Sequence, residues 1–411
     1  MGRNKFIALL IWLSVAAVLL AGCKKTGWVT QDDGLYYYTR DGETLSGWQK
    51  IDGDTFYFEN GGKTATGFHK LDGQTYFFCE DGAMATGWVE QAGKHYYFRS
   101  NGTMVTGWLS LEGERHYLFA DGSAATGVRL MDGALYVFDK TGRMCSGWAD
   151  LGGQWAYGDS NCHPVTGWQE IDGKRYHFEE SGILSTGWTE IDGFQYYFLS
   201  DGRPARGRIT LDGIPHDFGS NGQEIVLVNP WNFFPDGYHI DLTAINEDHQ
   251  VATIAYSDFL EMFRDCQNAG MQPAVCSSYR SFDYQKNLYN QRIQRYVDEG
   301  KSLEEATELA GRSVAVPGTS EHHLGLALDI VDNRNWNLDE TQAKMPTQQW
   351  LMENSWRYGW ILRYPSEKSA ITGIIYEPWH YRYVGRELAA EIYELGLCLE
   401  EYLDMLTEES Q

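Results

Sequence analysis

The strongest pattern along the chain is a rhythm of 20 residues, in which Gly27, Gly47, Gly67 and so on to Gly207 recur without a slip. Periods of that size mark repeat arrays. Each unit runs from a Gly-aromatic step into a short strand, then an Asp-Gly-like turn, then a second strand rich in Tyr and Phe. Residues 167 to 186 carry the whole pattern: Gly167-Trp168, Ile171-Asp172-Gly173, Tyr176-His177-Phe178 and Ser181-Gly182. Two short strands about a Gly-containing turn predict a β-hairpin. One hairpin cannot bury its aromatic face alone, so ten neighbours must stack into a quasi-one-dimensional core. Near Gln223 the rhythm stops and helical spacing begins. Phe259, Phe263 and Cys266 fall at i, i+4 and i+7, and Leu388, Ile392, Leu395 and Leu399 form a second stripe. Short β-type runs lie between them at 274–276, 326–331 and 379–383. The expected fold is multidomain: an N-terminal β-hairpin solenoid over 23–223, then a C-terminal α+β domain over 224–411.

Composition adds an address. The chain has 411 residues, enough for two or three domains, and its 45 Gly and 14% aromatic residues exclude a disordered chain. Arg3 and Lys5 precede an apolar run from Phe6 to Leu20, too short to span a membrane comfortably. That run ends in Leu20-Ala21-Gly22-Cys23, which resembles the lipobox of bacterial lipoproteins. The resemblance implies a signal peptide over 1–22, lipidation of Cys23 and a lipid-anchored protein on the extracellular face of the membrane. Without residues 1 to 22 the chain keeps 31 basic and 57 acidic side chains, a net charge of -26. Such acidity excludes nucleic acid as a partner, because phosphate binding needs clustered Lys and Arg. Six further Cys permit disulfides, with no pairing readable from their spacing.

The repeats resemble the cell-wall-binding repeats of Gram-positive surface proteins, the family of choline-binding modules and glucan-binding repeats. In that family a ligand sits between hairpins in a box of Trp and Tyr rings. Cation-π attraction suits a quaternary ammonium, and rings also stack on sugar faces, so cell-wall choline and polysaccharide both stand as ligands. The resemblance assigns the boxes to Trp28, Trp48, Trp88, Trp108, Trp148, Trp168 and Trp188, with strand rings such as Tyr97 and Tyr197. Phe68, Val128 and Arg208 replace the Trp, which predicts weak or absent boxes beside them, and the last unit reads as a cap.

Two motifs in the C-terminal part carry chemistry. The first is Ser320-Glu321-His322-His323-Leu324-Gly325-Leu326-Ala327-Leu328-Asp329, and the second is Glu377-Pro378-Trp379-His380. Two imidazoles and one carboxylate suit a catalytic zinc with an open position, and a carboxylate three residues before the last His could take a proton from water. The motifs resemble the Ser-x-His-x-x-Gly-x-x-x-Asp and Glu-x-x-His signatures of the VanY-type D-alanyl-D-alanine carboxypeptidases, a class of zinc peptidases. Leu227 to Asn232 and Ser277-Ser278-Tyr279-Arg280-Ser281 with Gln285 fit the same family. The resemblance makes His322, Asp329 and His380 the Zn2+ ligands and Glu377 the general base. Arg280 would steady the oxyanion or clamp the terminal carboxylate, and Ser320, Gln285 and Trp379 would line the substrate cleft. Adjacent side chains on a strand face opposite ways, so only one of His322 and His323 can meet the ion. The resemblance selects His322, and Gly325 could supply the bend that a spacing of seven requires.

No Lys has a Ser three positions before it, and neither Gly-x-Ser-x-Gly nor His-Glu-x-x-His occurs, which removes the serine and thermolysin-like classes. The expected substrates are peptidoglycan stem peptides. An L,D-carboxypeptidase acting on tetrapeptides and an inactive wall-binding adhesin are the alternatives.

Overall fold

The computed structural model describes residues 26–235 and 237–409. Residues 1–22, expected to be a signal peptide, and Cys23, expected to be lipidated, lie outside the described residues. By internal contacts the chain forms two units, one ending at Val165 and including Ser181–Ile183, the other comprising Thr166–Glu180 and Leu184 onward.

Ten antiparallel hairpins follow the 20-residue rhythm, from Gly27–Gln31 paired with Gly34–Tyr38 to Gly207–Leu211 paired with Ile214–Phe218. The turns explain their sequence. Asp52 and Gly53 have φ of 52° and 102°, and Asp172 and Gly173 have 51° and 70°. Positive φ at both central positions defines the turn whose twist matches a two-stranded ribbon, and Asp-Gly tolerates it best. Register then places each Trp opposite a ring nine residues on, as Trp48 opposite Tyr57. Phe58, Phe78, Phe98, Phe138, Phe178, Phe198 and Phe218, each ending its hairpin, are fully buried and form the spine of the stacks.

The last three hairpins belong mostly to the second unit, although the repeat rhythm continues through them. Within that unit Phe194 stacks on Tyr383 and Arg175 pairs with Glu387 at 3.1 Å. Arg208, where earlier units carry Trp, grips Asp217 through two hydrogen bonds of 2.8 and 3.0 Å, and its backbone N–H donates to Thr407.

The C-terminal domain is a four-stranded antiparallel sheet, in the order Pro273–Ser277, Ala327–Asp332, His380–Tyr383, Trp360–Leu362, flanked by helices. These are α1 (Thr253–Asn268), α2 (Phe282–Asp298), α3 (Leu303–Ser313), α4 (Pro346–Asn354), α5 (Ser369–Thr372), α6 (Arg386–Leu395) and α7 (Leu399–Glu409). Helix α1 buries Ala255, Phe259, Met262 and Cys266 against Leu328, Ile330, Trp360 and Tyr381 of the sheet. Each such large side chain taken out of water contributes about 1.5–3 kcal/mol. The second stripe is not one helix. Gly396 sits in the left-handed region at φ 66°, ends α6, and leaves Leu395 exposed, while Leu399 starts α7 and joins Leu388 and Ile392 in a separate core. All six described Cys are free thiols.

Candidate metal and substrate site

The motif around His322 bends where the chain needs it to. Glu321–Leu324 is a single 3-10 turn closed by Gly325 at φ 66°, after which Ala327–Asp332 runs as a strand. A side chain at Gly325 would sit 2.9 Å from Leu242 and 3.1 Å from the Ala252 nitrogen, so crowding and backbone angle both demand glycine. The turn aims His322 and His323 in different directions. His323 donates from Nδ1 to the Arg280 carbonyl at 2.8 Å, accepts from the Gly318 N–H at Nε2, and packs on Phe234 and Phe282.

His322, Asp329 and His380 converge instead, with one ligand atom from each lying within 4.8 Å of the others, all three buried. Asp329 and His380 are direct partners across neighbouring strands. His322 Nε2 lies 3.3 Å from Asp329 Oδ2, and His380 Nδ1 lies 3.1 Å from Asp329 Oδ1. Tetrahedral zinc ligands at 2.0–2.2 Å lie roughly 3.4 Å from each other, so the donor set and its spacing fit the ion. A carbonyl can only accept, so the 2.7 Å contact of His322 Nδ1 with the Ser278 oxygen puts the proton on Nδ1 and leaves the Nε2 lone pair facing the triad.

Behind His380 stands a charge network that sequence reading missed. Glu321 Oε2 lies 3.7 Å from His380 Nε2, and both atoms are buried without a hydrogen-bond partner. Glu321 Oε1 accepts from Arg363 at 2.8 Å and Arg382 at 2.9 Å, and Arg363 also forks onto Glu400 at 2.6 and 2.7 Å. Two buried carboxylates thus balance two buried guanidinium groups. Burial favours the neutral acid at Glu321, but the two arginines outweigh it and hold the carboxyl well below its usual range.

Glu377 lies beside the triad, with Oε2 3.7 Å from His380 Nδ1. Burial, with Asp329 adding to it, pushes its carboxyl up to about 7 against the pull of His380 and Arg280. Arg280 donates to Asp329 Oδ2 at 2.7 Å, to Ser277 Oγ at 2.9 Å and to Gln285 Oε1 at 3.3 Å. A cavity of about 450 Å³ opens on these groups and is also lined by Ser320 and Trp379. Gln285 corrects the sequence reading, because it is fully buried behind Arg280, bonded to it and to the Ala315 carbonyl, and does not line the cavity.

In the repeats, exposed indoles meet two or three rings each. Trp48 stands edge-on to Tyr57 at 5.2 Å and Tyr76 at 4.9 Å; Trp88 meets Tyr97 and His116, and Trp188 meets Tyr197 and His216. Trp148 rests on Tyr157. Phe68 keeps the same arrangement against Phe77 and Tyr96, so the stack of rings continues there without an indole. Trp108 and Trp168 differ from the expected open boxes. The Arg115 guanidinium lies 4.5 Å over the first and Arg175 lies 4.2 Å over the second, so the chain's own cations cover those rings.

Fold and site together define a metallohydrolase domain joined to an array of ring-lined hairpins. Residues 248–386 match the family model for VanY, D-alanyl-D-alanine carboxypeptidase; 65–94 and 85–127 match a choline-binding repeat, and 46–63 and 166–184 a cell wall binding repeat. A D-alanyl-D-alanine carboxypeptidase of Enterococcus faecalis is 42% identical over 182 residues, 44% of this chain and 65% of that protein. One from Enterococcus faecium is 39% identical over 153 residues, 37% of this chain and 43% of that protein. The chain therefore spans less than two thirds of each of these relatives. The crystal structure of a vancomycin-resistance D,D-pentapeptidase VanY from a VanB-type cassette, in complex with Zn(II), is 39% identical. It is covered over 97% of its length and 43% of this chain, with a TM-score of 0.40. Residues 248–386 thus match the VanY family of D-alanyl-D-alanine carboxypeptidases, and the repeats before them match choline-binding and cell wall binding repeats.

Proposed function

We propose that the protein is an exported, zinc-dependent D-alanyl-D-alanine carboxypeptidase that removes the terminal D-Ala of peptidoglycan stem peptides. In this reading 1–22 is the signal peptide, Cys23 carries lipid, 23–223 binds wall choline or polysaccharide, and 224–411 is the catalytic domain. Among the described residues no helix is long and apolar enough to cross a membrane. The observation that carries the reading is the approach of His322, Asp329 and His380 to within 4.8 Å, with Glu377 3.7 Å from His380.

A zinc ion on these three side chains would supply Lewis-acid polarisation and acidify water. The protein's own groups do the rest. Glu377 Oε2 takes the proton of the attacking water and returns it to the leaving amine, a role suited by a carboxyl lifted towards neutrality. Arg280 presents its guanidinium fork beside the proposed metal ligands, where it can hold a developing oxyanion or the terminal carboxylate. Ser320 and Trp379 shape the cleft around the scissile bond.

The test is release of D-Ala from a stem pentapeptide by the full chain. Turnover that stops on chelation and returns with zinc supports the reading; a pentapeptide left intact by zinc-loaded protein refutes it.

A further inference from the structure

The cavity has two ends of opposite chemistry. Every carboxylate that lines it, Glu321, Asp329 and Glu377, belongs to the metal end. The other end is one face of α2, where Tyr284, Leu288, Gln291, Arg292 and Arg295 succeed one another at helical spacing. Neither Arg292 nor Arg295 makes a hydrogen bond or ion pair through its guanidinium among the described residues. In a chain carrying 57 acidic against 33 basic side chains, two adjacent unpaired arginines facing a cleft stand apart from their surroundings.

We infer that Arg292 and Arg295 form a subsite for a carboxylate on the substrate peptide, upstream of the scissile bond. The inference rests on the peptidase reading, since it takes the occupant of the cavity to be a peptide whose C-terminal end lies at His322, Asp329 and His380. The helix sets the distance. Arg280 sits at the metal ligands immediately before α2, whose N-cap is Ser281. The rise from Ser281 to Arg292 is about 16 Å, and side chains lean back towards the helix N-terminus. An extended peptide covers about 3.3 Å per residue, which puts the carboxylate about three to four residues before the bond to be cut. A guanidinium pair recognises that group through forked, charge-assisted hydrogen bonds. The wall between the two ends, with Val314, Ala315, Ile374 and Ile375, offers apolar contact to the residues in between.

The experiment compares two peptides ending in D-Ala-D-Ala that differ only in whether a carboxyl three residues before the scissile bond is free or amidated. Binding of each to the full, zinc-loaded chain is measured by calorimetry with Arg292→Gln/Arg295→Gln and Arg292→Lys/Arg295→Lys variants alongside. The free acid is expected to bind the wild type about tenfold more tightly, a factor worth roughly 1.4 kcal/mol. The double Gln variant should bind both peptides alike, and the double Lys variant should keep a preference for the acid. Equal affinities in the wild type, or a preference that survives in the double Gln variant, overturn the inference. Turnover of a short neutral peptide reports separately on the peptidase reading, because it does not involve the arginine end.

Discussion

Asp329 and His380, 51 residues apart in the chain, face each other directly across two antiparallel strands, with Oδ1 and Nδ1 3.1 Å apart. The sheet therefore fixes two of the three proposed zinc ligands by strand pairing, and the turn at Glu321–Leu324 has only to bring in the third. Such a site is preformed by backbone pairing, which makes its proton chemistry specific.

Burial works against the charged form of His380, but the hydrogen bond with Asp329 and the nearby carboxylates of Glu321 and Glu377 win and hold it up at about 9. Burial and Arg280 push His322 down to about 4. At pH 7 only one of the two imidazoles carries a proton that a metal must displace. On zinc binding at pH 7 His380 should release one proton and Glu377, half-protonated there, up to about half of one more, and apparent affinity should fall as pH drops from 9 towards 5. Calorimetry in two buffers of different ionisation enthalpy counts the protons; zero or two would contradict the assignment.

Glu377 must be ionised to accept a proton. With its carboxyl raised to about 7, and a neighbouring divalent cation able only to lower it, the acid limb of kcat/KM should fall at or below pH 7. Glu377→Gln should reduce kcat by about 10²–10⁴-fold while leaving zinc content unchanged. A variant with near-normal turnover would remove Glu377 from the mechanism.

Glu321 acts on His380 from behind and holds Arg363 and Arg382 together. Glu321→Gln leaves buried guanidinium charge only partly compensated. We expect it to cost the C-terminal domain about 3–5 kcal/mol in denaturant unfolding and to weaken zinc binding about 10–100-fold. An unchanged zinc affinity would show that the 3.7 Å separation carries no coupling.

The convergence of His322, Asp329 and His380 was legible in sequence because they sit in two short motifs, and Gly325 announced the bend between His322 and Asp329. The network behind them was not, since Glu321, Arg363, Arg382 and Glu400 look like ordinary surface charges until the fold buries them together. Gln285 was misread for the same reason: proximity to Arg280 in sequence does not say on which side of the guanidinium it stands. The hairpins followed directly from the glycine rhythm, whereas the Leu388 to Leu399 stripe hid a helix break, because Gly396 falls between positions that still match a 3.6-residue period.

The repeats are unequal in a way that periodicity conceals. Arg115 and Arg175 sit three residues before the ends of their hairpins' second strands and fold back over Trp108 and Trp168. If quaternary ammonium is the ligand, Trp48→Ala or Trp88→Ala should each weaken choline binding at one box by about 1 kcal/mol, and Trp168→Ala should leave choline binding unaltered. Fluorescence titration with choline, and elution of the protein from walls at millimolar choline, check this. An equal loss at Trp168 would mean that Arg175 yields its place.

The most direct measurement of the central claim is the zinc content of the purified full chain and of His322→Ala, Asp329→Ala, His380→Ala and His323→Ala variants, by elemental analysis after dialysis. One zinc per chain is expected in the wild type and in His323→Ala, and none in the other three. Zinc retained without His322, Asp329 or His380, or lost on removing His323 alone from a folded protein, would contradict the shared site.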